Sequence, residues 1–504
     1  MLYIKKSKYV ILILTLFLFF LLFCFCFNKV DLEFSNQVYK EDLVLNVLIN
    51  DQLCSYDKEN DVYYYYSGGI DYKQWNIELN SLFDLKYDIS KIDNDRYSIR
   101  AFNSDFYEDI SLINTSLPII DLQSLDIDST VVYNYYPEDN SLKGDIYTNI
   151  SDVSAESYFA KFSSSSGVGA TNKKVSLQLR GTSSSLFPKK AYKISFDEKE
   201  NIYDLTKDDK YVLDALYIDK SKIRNVLSSA LWNLINNNQI VQNDLKCNFV
   251  ELFIDNNYMG LYVIKDKVNK SITSISDSGI LLKAYGHLLD ENINMFLSNP
   301  YLFNDNKVIN FEIKRYNSGT YDAFVKKMQS YFTSYRDYEL YSDVYYIDNF
   351  LNYKIFVALI SGEDNISSNQ YYSMVDENSK ILITPWDMDL TWGLYWNFDS
   401  DLYSIFSFDR DFEDQWMNDN IINGMDEKTL SLLKDRYWEL RKNVITIDTI
   451  NGYLDSYEEL LVNSGAAKRD SERWYGYDIE FEIQRIKIWA NERIEFLDNY
   501  FENL

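Results

Sequence analysis

The chain is poor in the residues that build most zinc sites and serine-hydrolase triads. Its 504 residues include one histidine, His287, and four cysteines. Cys24 and Cys26 fall in an apolar run, and Cys54 and Cys247 have no metal-ligand spacing. A zinc site built on several histidines is therefore excluded, and a Ser-His-Asp triad would have to use His287. The sequence leaves open whether Cys54 and Cys247 pair in a disulfide.

Positive charge is also scarce, because 50 Lys and Arg stand against 77 Asp and Glu and give a net charge of −27. Such a chain repels phosphate backbones, so we expect no nucleic-acid partner. The charge favours cationic partners, such as divalent metals or a basic, Ser-rich protein substrate, although an acidic surface that serves solubility would look the same. Hydrophobic residues make up 46% of the chain, which is enough for a large core.

One long apolar run stands near the N-terminus, from Val10 to Phe27, and it follows Lys5, Lys6 and Lys8. As a helix these residues would span about 27 Å, close to the hydrocarbon thickness of a bilayer. Lysines before the run favour a cytoplasmic N-terminus. We therefore expect residues 1–29 to form a cytoplasmic stub and a single-pass transmembrane anchor, with the bulk of the chain extracytoplasmic. A cleaved signal peptide is the alternative.

The remainder predicts an α+β protein in two parts. Residues 30–115 read as a small β-rich, sandwich-type module, with strands at Asp42–Ile49, Val62–Tyr66 and Tyr97–Phe102. Residues 116–504 begin with strands and continue with helices, which is typical of an α+β domain. In this part we expect a flexible loop at Ser154–Thr171, strands at Lys174–Leu179, Tyr192–Phe196, Tyr371–Val375 and Lys380–Thr384, a hairpin over Asn248–Lys265, and helices at Asp219–Asn236, Tyr346–Ile360, Lys428–Arg441 and Asp478–Phe501.

Three polar residues near two of these strands suggest phosphoryl transfer. Asp364 and Asn369 lie in the loop before a predicted strand pair, and Asp387 follows the second strand. Phosphoryl transfer needs a carboxylate that orients the attacking hydroxyl and oxygen ligands for Mg²⁺. An Asp, an Asn five residues later and a further Asp beyond a hairpin supply these groups in protein kinases. An Asx turn or a helix cap would explain Asp364 and Asn369 equally well.

A second segment, Arg180–Lys193, places a Gly-Thr-Ser-Ser loop beside Arg180, Lys190 and Lys193. Backbone N–H groups and cations of this kind suit a polyphosphate. The spacing of a P-loop is absent, and an ordinary hairpin connection with exposed lysines is the alternative.

The order of the motifs over about residues 116–504 resembles the CotH (spore coat protein H) kinase-like family. The blocks that carry this resemblance are Arg180–Ser184, Pro188–Lys193, Asp219–Asn225, Val250–Tyr262 and Pro385–Gly393, and the tail also matches at Ala466–Asp470, Arg473-Trp474, Trp489 and Arg493. The resemblance implies an atypical protein-kinase-like domain over 116–504 that uses ATP with Mg²⁺ or Mn²⁺. It also implies transfer of the γ-phosphate to Ser of a secreted, surface or spore-coat protein.

Carried over by position, the family's roles fall on residues of this chain. Asp364 would be the catalytic residue, Asn369, Asp387 and Asp389 would hold metal, and Arg180 with Lys190 or Lys193 would contact the nucleotide. Two family features of protein kinases are missing. The chain has no Gly-x-Gly-x-x-Gly lid, and the predicted helix Asp219–Asn236 carries no Glu to pair with a strand lysine, which leaves Glu251 as a candidate partner.

Two other functions remain open. A catalytically inactive surface adhesin or structural protein on the same fold could use Trp386, Trp392 and Trp396 as a carbohydrate-stacking surface. The pattern Asp387-Met388-Asp389-Leu390-Thr391 also fits the nucleophile motif of haloacid-dehalogenase-type phosphatases.

Overall fold

A computed structural model describes residues 38–124, 158–164, 173–181, 187–237, 244–285, 290–301, 303, 306–334, 336–397, 402–405, 408–474 and 476–504. The expected anchor, residues 1–29, and His287 lie outside them, so those predictions stay predictions. Within these ranges no helix is both long enough and apolar enough to cross a membrane. The chain divides into two compact units, one that ends at Ser116 and includes Asn256–Tyr258, and one that holds the rest.

The first unit is built of two antiparallel-rich sheets that share one apolar core. Its strands are β1 (Val38–Tyr39), β2 (Val44–Ile49), β3 (Gln52–Leu53), β4 (Ser55–Asp57), β5 (Val62–Tyr66), β6 (Ile77–Ser81), β7 (Lys86–Lys91), β8 (Arg96–Phe102) and β9 (Phe106–Thr115). Strands β4-β5-β9-β8-β7 form one sheet, with β1 beside β9, and β3-β2-β6 form the other. Alternate residues of both sheets, among them Val47 and Ile99, meet in the core. The β-rich module expected here is confirmed.

The second unit begins with a closed β-barrel. Its strands are β10 (Ile119–Ser124), β11 (Tyr158–Ser164), β12 (Lys173–Arg180), β13 (Ala191–Glu200), β14 (Asp208–Asp214), β15 (Cys247–Ile254) and β16 (Asn257–Asp266), in the order β10-β11-β12-β13-β14-β16-β15. Tyr192 and Ile194 fill the interior. Because side chains alternate along a strand, Lys193 between them faces outward. The barrel closes where β10 and β15 pair in parallel.

An antiparallel sheet follows, in the order β18-β19-β17-β20-β21. Its strands are β17 (Ile280–Ala284), β18 (Lys307–Val308), β19 (Phe311–Arg315), β20 (Gln370–Met374) and β21 (Leu382–Pro385), and β22 (Leu394–Asn397) with β23 (Leu402–Ile405) forms a separate pair. This sheet and the helices share the largest apolar core found among the described residues.

The described residues contain eleven α-helices, all in the second unit. They are α1 (Arg224–Ile235), α2 (Lys270–Thr273), α3 (Asp290–Ser298), α4 (Ser318–Thr333), α5 (Tyr338–Val344), α6 (Ile347–Ile360), α7 (Arg410–Trp416), α8 (Glu427–Asn443), α9 (Ile447–Asn463), α10 (Ala466–Arg473) and α11 (Ile479–Asn503). Helix α6 is buried over nearly its whole length. The α+β class is confirmed.

Two sequence expectations differ from the structure, and the state of two cysteines, which the sequence left open, is now defined. Strand β11 runs through the expected flexible loop Ser154–Thr171, because Tyr158–Ser164 pairs with both β10 and β12. Helix α1 begins at Arg224 instead of Asp219, since the Asp219 carboxylate accepts the N–H groups of Ser221 and Arg224 in the turn before the helix. Cys54 and Cys247 are both free thiols.

Candidate functional site

The loop after α6 is fastened to the segment that follows β21. Helix α6 ends at Ser361, which adopts a left-handed conformation with φ 46°, and a 3₁₀ turn, Asp364–Ile366, follows. The buried Asn365 amide donates to the carbonyl oxygens of Asn369 and Trp386, both at 2.9 Å. The N–H of Trp386 donates to the carbonyl of Asn369 at 2.8 Å. These bonds explain how residues far apart in sequence meet at one place.

The three residues that suggest phosphoryl transfer lie around this junction. Asn369 Nδ2 is 3.4 Å from Asp364 Oδ2. Asn369 and Asp387 both adopt the left-handed region, with φ 48° and 56°. That conformation costs an L-residue about 1–2 kcal/mol and persists only where surrounding contacts impose it, which is common at functional sites.

We call Asp364, Asn369 and Asp387, together with the charged residues around them, the acidic site. Two of those charged residues were missed by the sequence interpretation. Lys265, in β16, is almost fully buried; its Nζ lies 2.6 Å from Asp214 Oδ2 and 3.9 Å from Asp387 Oδ1. Asp214, at the end of β14, also accepts hydrogen bonds from Asn225 Nδ2 and from the N–H of Leu216, both at 3.2 Å. A lysine within the otherwise apolar strand β16 is the signal that could have revealed it.

The carboxylates compete for the positive charge of this site. Burial raises the pKa of Asp389 well above its ordinary value, and the charges of Asp387 and Asp214 raise it further. Burial also opposes ionisation of Asp214, but Lys265 and Arg180 outweigh it and lower the pKa of Asp214 to about 2. Asp364 contributes to the same negative field. The site therefore holds more negative charge than Lys265 alone neutralises.

An oxygen-ligated divalent cation fits this donor set. Asp387, Asp389 and the amide oxygen of Asn369 are ligands of the kind that Mg²⁺ and Mn²⁺ prefer. A cation would also relieve the repulsion that raises the pKa of Asp389. Within the described residues, no group of three His, Cys, Asp or Glu side chains is already arranged to hold a metal. Water or phosphate oxygens would complete the coordination of such a cation.

Trp386 forms one wall of the acidic site, and two cationic side chains lie over its ring in cation–π contacts. Lys265 Nζ lies 4.8 Å from the ring centroid, and the Arg180 guanidinium carbon lies 5.7 Å from it. Tyr371 packs edge-on at 5.8 Å. Trp386 and Trp392 are 5% and 1% exposed. Neither ring is open for carbohydrate stacking. The side chain of Trp396 is not among those that the structure describes.

The predicted nucleotide-binding residues occupy different positions. Arg180 lies beside Trp386 and acts on Asp214, so it is part of the acidic site. Lys193 faces outward from the barrel, where its Nζ donates to Gln178 Oε1 at 2.5 Å. Lys190 is buried, and this burial lowers its pKa to about 8. Lys265, which was not predicted, is the strand lysine that lies against Asp387.

The Asp219–Asn225 block supports the site instead of joining it. Arg224 forms a buried ion pair with Asp219 at 2.5 Å and donates from Nε to the carbonyl of Thr391 at 3.0 Å. Trp392 Nε1 donates to Ser228 Oγ at 2.9 Å. Helix α1 thereby holds the segment that carries Asp387. The segment turns directly after β21 at Pro385–Asp387, which is unlike the strand continuation expected of a phosphatase nucleophile.

The tail block Ala466–Asp470 ties α10 to the barrel. Lys189 and Asp470, both fully buried, pair at 2.6 Å, and Lys189 also donates to the carbonyl of Leu261. The N–H of Leu261 donates to Asp470 Oδ1 at 2.8 Å. Gly260, with φ +100°, leaves the space that this carboxylate occupies.

A second buried pair lies nearby, between Arg469 and Glu251, with N···O distances of 2.9–3.0 Å. Arg469 also donates to the carbonyl of Ser464. Glu251, the candidate partner for a strand lysine, thus pairs with an arginine of α10, while the strand lysine Lys265 pairs with Asp214.

The second unit is an α+β domain with a β-barrel and a helical half. Buried ion pairs connect helix α10 to the barrel, and the candidate site is a cluster of acids and cations. The family model described as CotH kinase protein matches residues 177–497. The chain therefore belongs to this family, which suggests a spore-coat-associated, kinase-like protein. No curated protein matches the chain significantly.

Proposed function

We propose that this protein is an ATP-dependent protein serine kinase that acts on a secreted, surface or spore-coat protein. One observation carries the proposal, which is the meeting of Asp364, Asn369 and Asp387 beside Lys265. Family membership supports it independently.

In this proposal each side chain acts on a different part of the reaction. Asp364 accepts a hydrogen bond from the acceptor serine hydroxyl and orients its oxygen toward the γ-phosphorus. Asp387, Asn369 and Asp389 would hold Mg²⁺ or Mn²⁺, which when bound neutralises charge on the phosphates. Lys265 and Arg180 bring positive charge to the same place, and the Asp214 pair with Lys265 holds this amine in position.

The N-terminal apolar run would anchor the protein as a single-pass membrane protein with the kinase domain outside. The acidic chain as a whole, with its net charge of −27, makes a basic, Ser-rich protein one candidate acceptor. Protease protection in sealed vesicles tests the topology, since an outward domain is digested without detergent and an inward one is not.

Transfer of label from γ-labelled ATP to Ser-containing acceptors, with Mg²⁺ or Mn²⁺, tests the activity. We expect Asp387→Asn and Asp364→Asn each to reduce the rate by about 10²–10³-fold, since each removes a charge that acts in the transition state. Asp435→Asn, on the exposed face of α8, is the matched control and should leave the rate unchanged.

Equal labelling by the wild type and Asp387→Asn would refute the metal role of Asp387. If no metal supports labelling or ATP binding, the kinase proposal fails and an inactive surface or structural role replaces it. Melting curves of all variants separate loss of activity from loss of fold.

A further inference from the structure

Four lysines form a basic surface next to the acidic site, which we call the lysine face: Lys193, Lys210, Lys267 and Lys314. Strands β13 and β14 place Lys193 opposite Val212 and Lys210 opposite Ser195. Lys267 directly follows Asp266, which pairs with Tyr211. Neighbouring side chains Tyr192, Ile194 and Tyr211 fill the barrel interior, so the lysines of these strands lie on its outer surface.

Lys314, on β19 of the following sheet, brings the fourth charge to the same place. Burial lowers the pKa of Lys193, and the charges of Lys210 and Lys314 lower it further. Burial lowers the pKa of Lys267 to about 8, and Lys193 and Lys314 again add to the effect. Lys193 and Lys267 therefore both lie within the electrostatic field of Lys210 and Lys314.

Carboxylates compensate this surface only in part. Lys210 pairs with Asp209 at 3.0 Å, and Lys314 pairs with Glu312. No described carboxylate lies within 4.0 Å of Lys193 or Lys267. Gathering four amines around only two paired carboxylates costs free energy, and sites that bear such a cost are commonly ligand sites. Since the chain as a whole has a net charge of −27, a local excess of lysine is contrary to its overall composition.

The nucleotide does not need these charges. In the proposed kinase, phosphates held at Asp387 would already meet the positive charges of Lys265 and Arg180, and Lys283 also interacts with Asp387. A nucleotide base prefers an apolar or aromatic wall to a row of amines. Lys267 lies two residues after Lys265 in the chain, and Lys193 lies two strands away from Lys265 across the barrel sheet. At normal sheet spacings, the lysine face is therefore about 5–10 Å from Lys265.

We propose that the lysine face binds acidic or phosphorylated side chains of the protein acceptor, next to the serine that receives phosphate. This inference rests on the proposed kinase function and names its substrate class. In an extended peptide, about 5–10 Å corresponds to two or three residues, so the anionic residues should lie that close to the acceptor serine. The local positive charge of the lysine face thus favours an anionic acceptor segment, whereas the negative net charge of the chain favours a basic acceptor.

Fluorescence anisotropy of labelled peptides with the full chain tests the binding. Three peptides of equal length carry a central serine flanked by Asp, by phosphoserine or by Lys. We expect the two anionic peptides to bind more tightly than the Lys peptide, and the double variant Lys193→Gln, Lys267→Gln to weaken them about ten-fold. Lys326→Gln, an exposed lysine on α4, is the matched control and should have no effect.

Tighter binding of the phosphoserine peptide than the Asp peptide would indicate previously phosphorylated acceptors, and equal binding would indicate acidic ones. Preferred binding of the Lys peptide, or unchanged affinity in a folded double variant, would overturn the inference. The inference would also be overturned if the double variant raised the KM for ATP and left the peptide affinity unchanged. If no peptide is phosphorylated but the anisotropy pattern holds, the kinase proposal fails and the anion-binding surface stands.

Discussion

At the scale of single residues, Gly260 is required by the carboxylate beside it. With φ +100° it occupies a region that L-residues avoid, and a Cβ atom there would overlap Asp470 Oδ1. Asp470 cannot retreat, because it holds Lys189 and the N–H of Leu261 in a buried network. We therefore predict that Gly260→Ala lowers the free energy of unfolding by about 3 kcal/mol or more, measured by urea denaturation.

Gly452 provides the matched control for this change. It lies inside helix α9, and a Cβ atom there would meet nothing within 4 Å. Gly452→Ala should therefore stabilise the protein by about 0.5–1 kcal/mol through helix propensity. Equal effects of the two substitutions would contradict the clash with Asp470.

Asp266 makes stability depend on pH. Burial raises its pKa from 3.8 to about 6, and its Oδ2 has no hydrogen-bond partner among the described residues. Between these pH values the folded state binds the proton more tightly than the unfolded chain, so this contribution is present at low pH and is lost as pH rises through about 6. We predict that ionisation of Asp266 lowers the free energy of unfolding by about 3 kcal/mol, and that Asp266→Asn abolishes this part of the pH dependence of unfolding. A variant with the unchanged wild-type profile between pH 4 and 7 would disprove it.

At the scale of elements, the sequence predicted most helices and strands because their periodicity is local. Helix α6 and strand β5 begin and end within one residue of expectation. Strand β11 was missed, since its Ser-rich surroundings resemble a loop and only its pairing partners make it a strand. Asp364, Asn369 and Asp387 could be predicted from spacing. Lys265 stands out as a charged residue in an apolar strand, but its contact with Asp214 could not be predicted, because that contact depends on the register of β14 and β16.

The attachment of α10 to strand β15 is the element-scale contact most open to test. Glu251 and Arg469 are 0% and 7% exposed in this pair. Removing Arg469 takes a paired counter-charge away from a buried carboxylate, so Arg469→Met should cost about 3–5 kcal/mol. The double variant Glu251→Met, Arg469→Met should recover much of that loss. Additive losses, measured in a double-mutant cycle by urea denaturation, would contradict a direct pairing energy.

At the scale of the whole molecule, the acidic character of the chain is present in the candidate site too, where Asp387, Asp214 and Asp364 act on Asp389. Burial and, after it, the neighbouring acids raise the pKa of Asp389, so a divalent cation that offsets this repulsion should bind the carboxylates of Asp387 and Asp389 before any nucleotide arrives. An ion at about ten times its Kd adds about 1.4 kcal/mol of stability, so we predict that Mg²⁺ or Mn²⁺ raises Tm by about 1–3 °C.

Charge screening over a chain of net charge −27 would also raise Tm, so the comparison must separate the two effects. Na⁺ at the same ionic strength reports screening alone. Asp387→Asn removes one proposed ligand and also relieves repulsion on Asp389, so without divalent ions this variant should be at least as stable as the wild type. It should then gain no more from Mg²⁺ than from Na⁺. An undiminished Mg²⁺ effect in this variant would place the cation elsewhere on the acidic surface.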